Sequence, residues 1–200
     1  NRTAKTVRAT STRTDYAYDD ENNLVAAQAS GSGPSWQFDG LNRRIGQANP
    51  ATRWIYDEED VLAAYDGTNA FQHFFVHGPG IDEPLMMRRA DGTDIFMLAD
   101  ALGSITAHAT ASGQVVERVE YEAYGLPIFI DVTTATPAVS ATSIAGSRYS
   151  FTGREWDDGL YHFRARTYDP QSGAFVQEDP VFSAQTSRFV FVDNNPIVFY

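Results

Sequence analysis

Carboxylates are the groups in this sequence best equipped for acid–base work. They occur as adjacent acids at Glu58-Glu59-Asp60 and Asp157-Asp158, and ahead of proline at Asp169-Pro170 and Asp179-Pro180. Paired acids can hydrolyse glycosides or peptides when one is held ionised and the other protonated. Neighbouring acids in polar turns are far more often solvated turn residues, and aspartate before proline commonly opens a turn. His73 and His77 are four apart, but Phe71-Gln-His-Phe-Phe-Val-His reads as a strand. In a strand that spacing separates the rings by roughly 13 Å, too far for one metal ion. His108 and His162 read as ordinary strand residues, cysteine is absent, and no metal site or cofactor is expected. The sequence holds neither a G-x-S-x-G nucleophile motif nor a glycine-rich phosphate loop.

The elements that must carry these groups are strands. Hydrophobic residues make up 42% and aromatics 13%, enough to bury a core. No window shows apolar positions at helical spacing, whereas Val119–Ala123 and Tyr161–Arg166 alternate with period two. Tight-turn pairs recur at Asp66-Gly67, Asp91-Gly92, Ser112-Gly113 and Ser172-Gly173. The expected fold is all-β, built of antiparallel hairpins. Residues 131–147, rich in Thr, Ala and Ser and containing Pro137, read as a mobile excursion loop. The net charge of −11 and the lack of a basic run exclude nucleic-acid binding over a broad surface. No apolar stretch approaches the roughly 20 residues needed to span a bilayer. The polar start at Asn1–Arg13 has no apolar signal core and reads as an internal cut from a longer protein.

Internal repetition is the strongest organising signal. Tyr16-Ala-Tyr18-Asp19, Trp36-Gln-Phe38-Asp39 and Trp54-Ile-Tyr56-Asp57 share one pattern, with aspartates spaced by 20 and 18, and Leu24, Arg44 and Leu62 open the return strands. Two aromatics two apart lie on one face of a strand, and the aspartate can accept bonds from the amides of the following turn. A single hairpin cannot bury such a face, so copies must stack.

These units resemble the YD repeats of the RHS family, and the remainder resembles the RHS-repeat-associated core domain. The resemblance rests on Val76-His-Gly-Pro-Gly-Ile-Asp-Glu-Pro-Leu85, Asp100-x-x-Gly103-Ser104 and Glu120-Tyr-x-x-Tyr124-Gly125. It continues through Phe151-Thr-Gly-Arg-Glu155, Arg164-Ala-Arg-Thr-Tyr-Asp169-Pro170, Asp179-Pro180 and Asn194-Asn195-Pro196. It implies repeat hairpins over 1–65 and a core domain over 66–200. Together they wind into part of a spiral, barrel-like β-shell that the core domain closes.

The resemblance further implies a secreted or cell-surface protein whose shell houses a C-terminal effector of the same polypeptide. Its other partners would be the upstream YD repeats and a shell or delivery protein. In many such proteins the core domain cuts the chain just beyond itself, here just past Tyr200, through an aspartyl-type site acting once. By its place in the D-P motif, Asp179 is the first candidate catalytic carboxylate. Asp193 is a candidate partner, and Arg166 or Arg164 could hold a carboxylate. Tyr18, Asp19, Phe38, Asp39, Tyr56, Asp57, Asp169 and Pro170 are read as structural repeat and turn residues. Three positions depart from the family pattern: Ala101 where His is common, Ala174 where Arg is common, and Val181-Phe182 without the glycine that usually follows D-P. Those departures leave a non-cleaving structural or adhesive module as the alternative. An uncovered repeat edge would also favour association or aggregation.

Overall fold

A computed structural model describes all residues except 8–10, 158, 180–187, 193–194 and 197–200. Fourteen strands form one antiparallel meander in sequence order. They are β1 (Ala4–Val7), β2 (Thr12–Tyr18), β3 (Leu24–Ala29), β4 (Ser35–Phe38), β5 (Arg44–Ala48), β6 (Thr52–Asp57) and β7 (Asp60–Asp66). There follow β8 (Phe71–His77), β9 (Pro84–Arg89), β10 (Asp94–Ala99), β11 (Ile105–Thr110), β12 (Val115–Tyr121), β13 (Pro127–Asp131) and β14 (Ala138–Ser140). A 3₁₀ turn at Phe151–Gly153 leads to a second, four-stranded meander: β15 (Glu155–Asp157), β16 (Leu160–Phe163), β17 (Arg166–Asp169) and β18 (Ala174–Phe175). The fold is thus all-β and antiparallel as expected, with the long sheet running open from β1 to β14. Its pairing continues unbroken across 65/66.

The aromatic repeat works as its spacing suggests. Tyr16, Trp36 and Trp54 are buried, Tyr18, Phe38 and Tyr56 pack beside them, and the intervening Ala17, Gln37 and Ile55 face solvent. Asp19 Oδ1 accepts the amides of Glu21 (3.1 Å) and Asn23 (2.8 Å), and Asp39 Oδ1 those of Leu41 (2.9 Å) and Arg43 (3.0 Å). Each turn ends on an asparagine with positive φ, Asn22 at 74° and Asn42 at 61°. This is a type I turn followed by a left-handed residue, and it matches the bulged register at Tyr18 and Phe38. Asp57 departs from the scheme. Its hairpin is shorter, Asp57 pairs directly with Asp60 across Glu58-Glu59, and among the described residues its carboxylate clamps no turn amide. The same clamp reappears at Asp66, which accepts from Thr68 N (2.8 Å) and Ala70 N (3.0 Å). Asp100 repeats it with Leu102 N (2.8 Å) and Ser104 N (2.9 Å).

The segment 131–147 is more structured than its composition suggests. It contributes β14, and beyond that strand its backbone is seized from two sides. The buried Glu117 carboxylate accepts Ser143 Oγ (2.8 Å) and Ile144 N (2.6 Å), while Arg89 Nε donates to the carbonyl of Ala145 at 3.0 Å. Glu117 also meets His108 Nδ1 at 2.9 Å, with both side chains fully buried. This clasp directs the chain off the long sheet and towards β15.

Candidate functional site

The short sheet is strapped to both ends of the long one. At the β1 end, Arg2 N donates to Val176 O (3.0 Å), and Leu160 and Val176 pack with Tyr16, Leu24 and Trp36. At the far end, Tyr161 Oη donates to Gly125 O (2.8 Å) and Tyr168 Oη to Tyr124 O (3.0 Å), on the turn joining β12 to β13. Gly125 (φ 85°) admits the Phe151 ring so closely that a Cβ there would lie 2.5 Å from it. Phe151, Tyr161, Tyr168, Phe175 and Phe191 form one aromatic cluster beneath these straps.

Segments singled out in the sequence meet around this cluster. Asp82 is held between Arg154 Nη2 (2.6 Å) and Arg164 Nη2 (3.0 Å). Burial pushes the Asp82 carboxyl above its ordinary range, and the two guanidinium groups pull it back down only in part. Ser104 Oγ accepts the amide of Thr152 at 3.0 Å. One cavity beside Asp82, lined by Asp60, His77, Arg154, His162 and Arg164, has a volume of about 40 Å³, enough for a few waters. Arg164 braces Asp82 at its edge.

Arg166 and Asp179 are brought together, with Nη1 to Oδ2 at 2.9 Å. The Arg166 guanidinium lies 3.6 Å from the centre of the Phe175 ring. Burial against the ring lowers the pKa of Arg166, and the neighbouring carboxylate opposes that shift. Asp179 is fixed a second way, by its amide donating to Arg188 O at 2.9 Å. Its side chain remains 36% exposed. Asp193 lies outside the described residues. Asp169 is engaged elsewhere: it is 1% exposed, its Oδ1 accepts Gln171 N (3.1 Å), and Lys5 Nζ lies 2.9 Å from its carboxylate.

A second charged cluster, which the sequence did not reveal, locks the two sheets. Arg44 Nη2 binds Glu155 at 2.9 Å and Nη1 binds Asp157, while Arg148 Nη2 binds Glu155 (3.1 Å) and Asp157 (2.7 Å). The Arg148 and Arg44 guanidiniums sit 4.2 and 5.0 Å from the Trp54 ring centre. Burial alone would raise the Glu155 carboxyl, but the two arginines hold it below the usual range. His162, desolvated and facing Arg44, is pushed well below the ordinary histidine pKa.

No family model matches the chain. It is 25% identical over 197 residues to the tRNA3(Ser)-specific nuclease WapA of Bacillus spizizenii, covering 92% of this chain and 8% of that protein. It is 31% identical over 101 residues to toxin subunit YenC1 of Yersinia entomophaga, half of this chain and 10% of that one. Among solved structures, TcdB2-TccC3 without its hypervariable C-terminal region superposes with a TM-score of 0.65 at 18% identity, over 92% of this chain and 10% of that one. The chain is thus similar to RHS-type and Tc-toxin proteins. The Photorhabdus luminescens Tc holotoxin pore gives a TM-score of 0.66 over 94% of this chain, again at 18% identity and 10% of that chain. The chain thus spans a tenth or less of the length of these relatives. Among its described residues no helix is long and apolar enough to cross a membrane.

Proposed function

We propose that this chain is the terminal plug of an RHS-type encapsulating shell on a secreted or cell-surface protein. The shell encloses a C-terminal effector of the same polypeptide and cuts it loose just beyond Tyr200. The observation that carries the reading is the Arg166–Asp179 pair at the exposed end of a short sheet that bridges both ends of the long meander. In the cut, the Asp179 carboxylate takes a proton from water, and the resulting hydroxide attacks the scissile carbonyl. A protonated second acid, for which Asp193 is the candidate, gives its proton to the departing amide nitrogen, leaving a new carboxyl and a new amine. A substrate tethered in the same chain has a high effective concentration, so a slow single-turnover site suffices.

The other reading is a non-cleaving surface module. It draws on 32% identity over 103 residues to salivary gland surface protein 1 of Aedes aegypti, half of this chain and 3% of that one, and on Val181-Phe182 following Asp179-Pro180. Intact-mass spectrometry of the full polypeptide, beside its Asp179→Asn variant, separates the two. Trimming past Tyr200 in the parent and not in the variant supports the cleaving plug. Two uncut proteins support the passive module, and trimming in both removes Asp179 from the reaction.

A further inference from the structure

Asp169 and Lys5 form a partly buried clamp between parts of the chain far apart in sequence. Asp169 ends β17 and is 1% exposed; Lys5 lies in β1, 164 residues earlier, with Nζ 2.9 Å from Asp169 Oδ1 and 2.7 Å from Gln171 Oε1. The residues around Lys5 grip the same stretch. Arg2 N donates to Val176 O (3.0 Å), Arg2 Nη1 to Ser172 Oγ (3.0 Å), and Tyr18 Oη to Arg2 O (2.7 Å). The stretch they hold, 169–176, lies between the two members of the candidate cleavage pair. Arg166 opens β17, and Asp179 follows Val176 by three residues. Its register against β17 is set by Tyr168↔Phe175 and Asp169↔Ala174. The register extends through Val176 N to Thr167 O (2.9 Å) and Thr167 N to the buried Gln177 Oε1 (2.7 Å). Displacing the stretch by one residue would carry Asp179 away from Arg166.

We infer that strand β1 completes the cleavage site, with Lys5 as a positioning residue that neutralises Asp169, fixes the β17–β18 turn and so seats Asp179 on Arg166. The inference rests on the cleavage reading and adds a control to it: the site is aligned only when the repeat strand has docked. Without Lys5, a buried carboxylate loses its cation and the turn must open to hydrate it.

The test uses the full polypeptide with Lys5→Met, Lys5→Arg and the double variant Lys5→Met/Asp169→Asn. Self-cleavage is followed over time by intact mass. In an Asp179→Asn background, amide exchange is measured over 171–179, with β4–β11 as the internal control for folding. Lys5→Met is expected to slow cleavage by about tenfold or more. It should also speed exchange across 171–179 while leaving β4–β11 protected. Lys5→Arg restores the rate, and the double variant recovers part of it because no buried charge is stranded. Cleavage at the parental rate in Lys5→Met, with exchange unchanged, overturns the inference. A parent that stays whole overturns the cleavage reading instead, and the exchange comparison then decides the clamp by itself.

Discussion

Replacing Arg44 by methionine tests what holds the two sheets in register. Its side chain is 4% exposed and contacts both Glu155 and Asp157, whose side chains are each 10% exposed. Removing one partner of a buried pair costs about 3–5 kcal/mol, because the charge left behind is uncompensated. Here Arg148 still reaches both acids, at 3.1 and 2.7 Å, and can neutralise one of them. The lower end, about 3 kcal/mol at pH 7, is therefore expected, a fall in Tm of about 6–12 °C for a domain of this size. The pH dependence has a definite sign. With Arg44 present the Glu155 carboxyl is held below its ordinary range, so its stabilisation is full above the unfolded carboxylate pKa and is lost as pH falls through the lower folded value. Without Arg44 burial dominates, and Glu155 protonates more readily in the folded state. The gap between parent and variant should accordingly shrink on going from pH 7 to pH 4. Urea unfolding followed by tryptophan fluorescence at both pH values measures it, since Trp54 lies against the network. A difference under about 1 kcal/mol at pH 7 that is also independent of pH would refute the assignment of Arg44 as the lock.

Two further changes probe the same architecture. Gly153→Ala places a Cβ 2.0 Å from Asp82 O at a φ of 68°, so a loss of about 3 kcal/mol or more in thermal stability is expected, enough to separate Arg154 from Asp82. His162 has a folded pKa well below its unfolded value near 6.5, so protonation favours the unfolded chain. Stability should hold above that pH and decline below it by up to about 1.4 kcal/mol per pH unit. His162→Gln should flatten the decline in urea midpoints between pH 7 and pH 5, and equal slopes in the two proteins would count against the reasoning.

Much of the fold was legible because its rules are local. Aromatic residues two apart followed by Asp mark Tyr16–Asp19 and Trp36–Asp39 as strand and turn, and the burial follows. Asp57 shows where the rule stops: the pattern is intact, but a hairpin two residues long removes the amides the carboxylate would clamp. Asp66 and Asp100 were missed as members of the set because no aromatic pair precedes them. The signal that could have found them is Asn69 or Gly103 three residues on, where the turn needs a positive φ of 65° or 77°. The Arg44–Glu155–Arg148–Asp157 cluster was illegible for a different reason. Arg44 is 111 residues from Glu155, and nothing local distinguishes a lock from a solvated charge. The contacts that hold segment 131–147 were illegible because they come from outside it, from Glu117 and Arg89.

The contacts least visible in the sequence are also those that take longest to make. Closing a loop costs entropy that grows with its length, and contacts of high sequence separation form late. The straps to Gly125 and Tyr124 span 36 and 44 residues, whereas the Lys5 clamp on Asp169 spans 164. On this argument the far end of the short sheet is expected to be tied down before the β1 end. If Asp179 reaches Arg166 in working register only after the longest closure, the pair assembles last, when the long meander beneath it is already paired. On the proposed cleavage reading, a site that cuts its own chain would gain order from this sequence of events. Premature scission of a partly folded shell would then be suppressed by the same geometry that aligns the acid, without a separate inhibitor. In refolding, amide protection at β4–β11 should then appear before cleavage begins, and cleavage that starts ahead of that protection would show that some step other than β1 docking sets the timing.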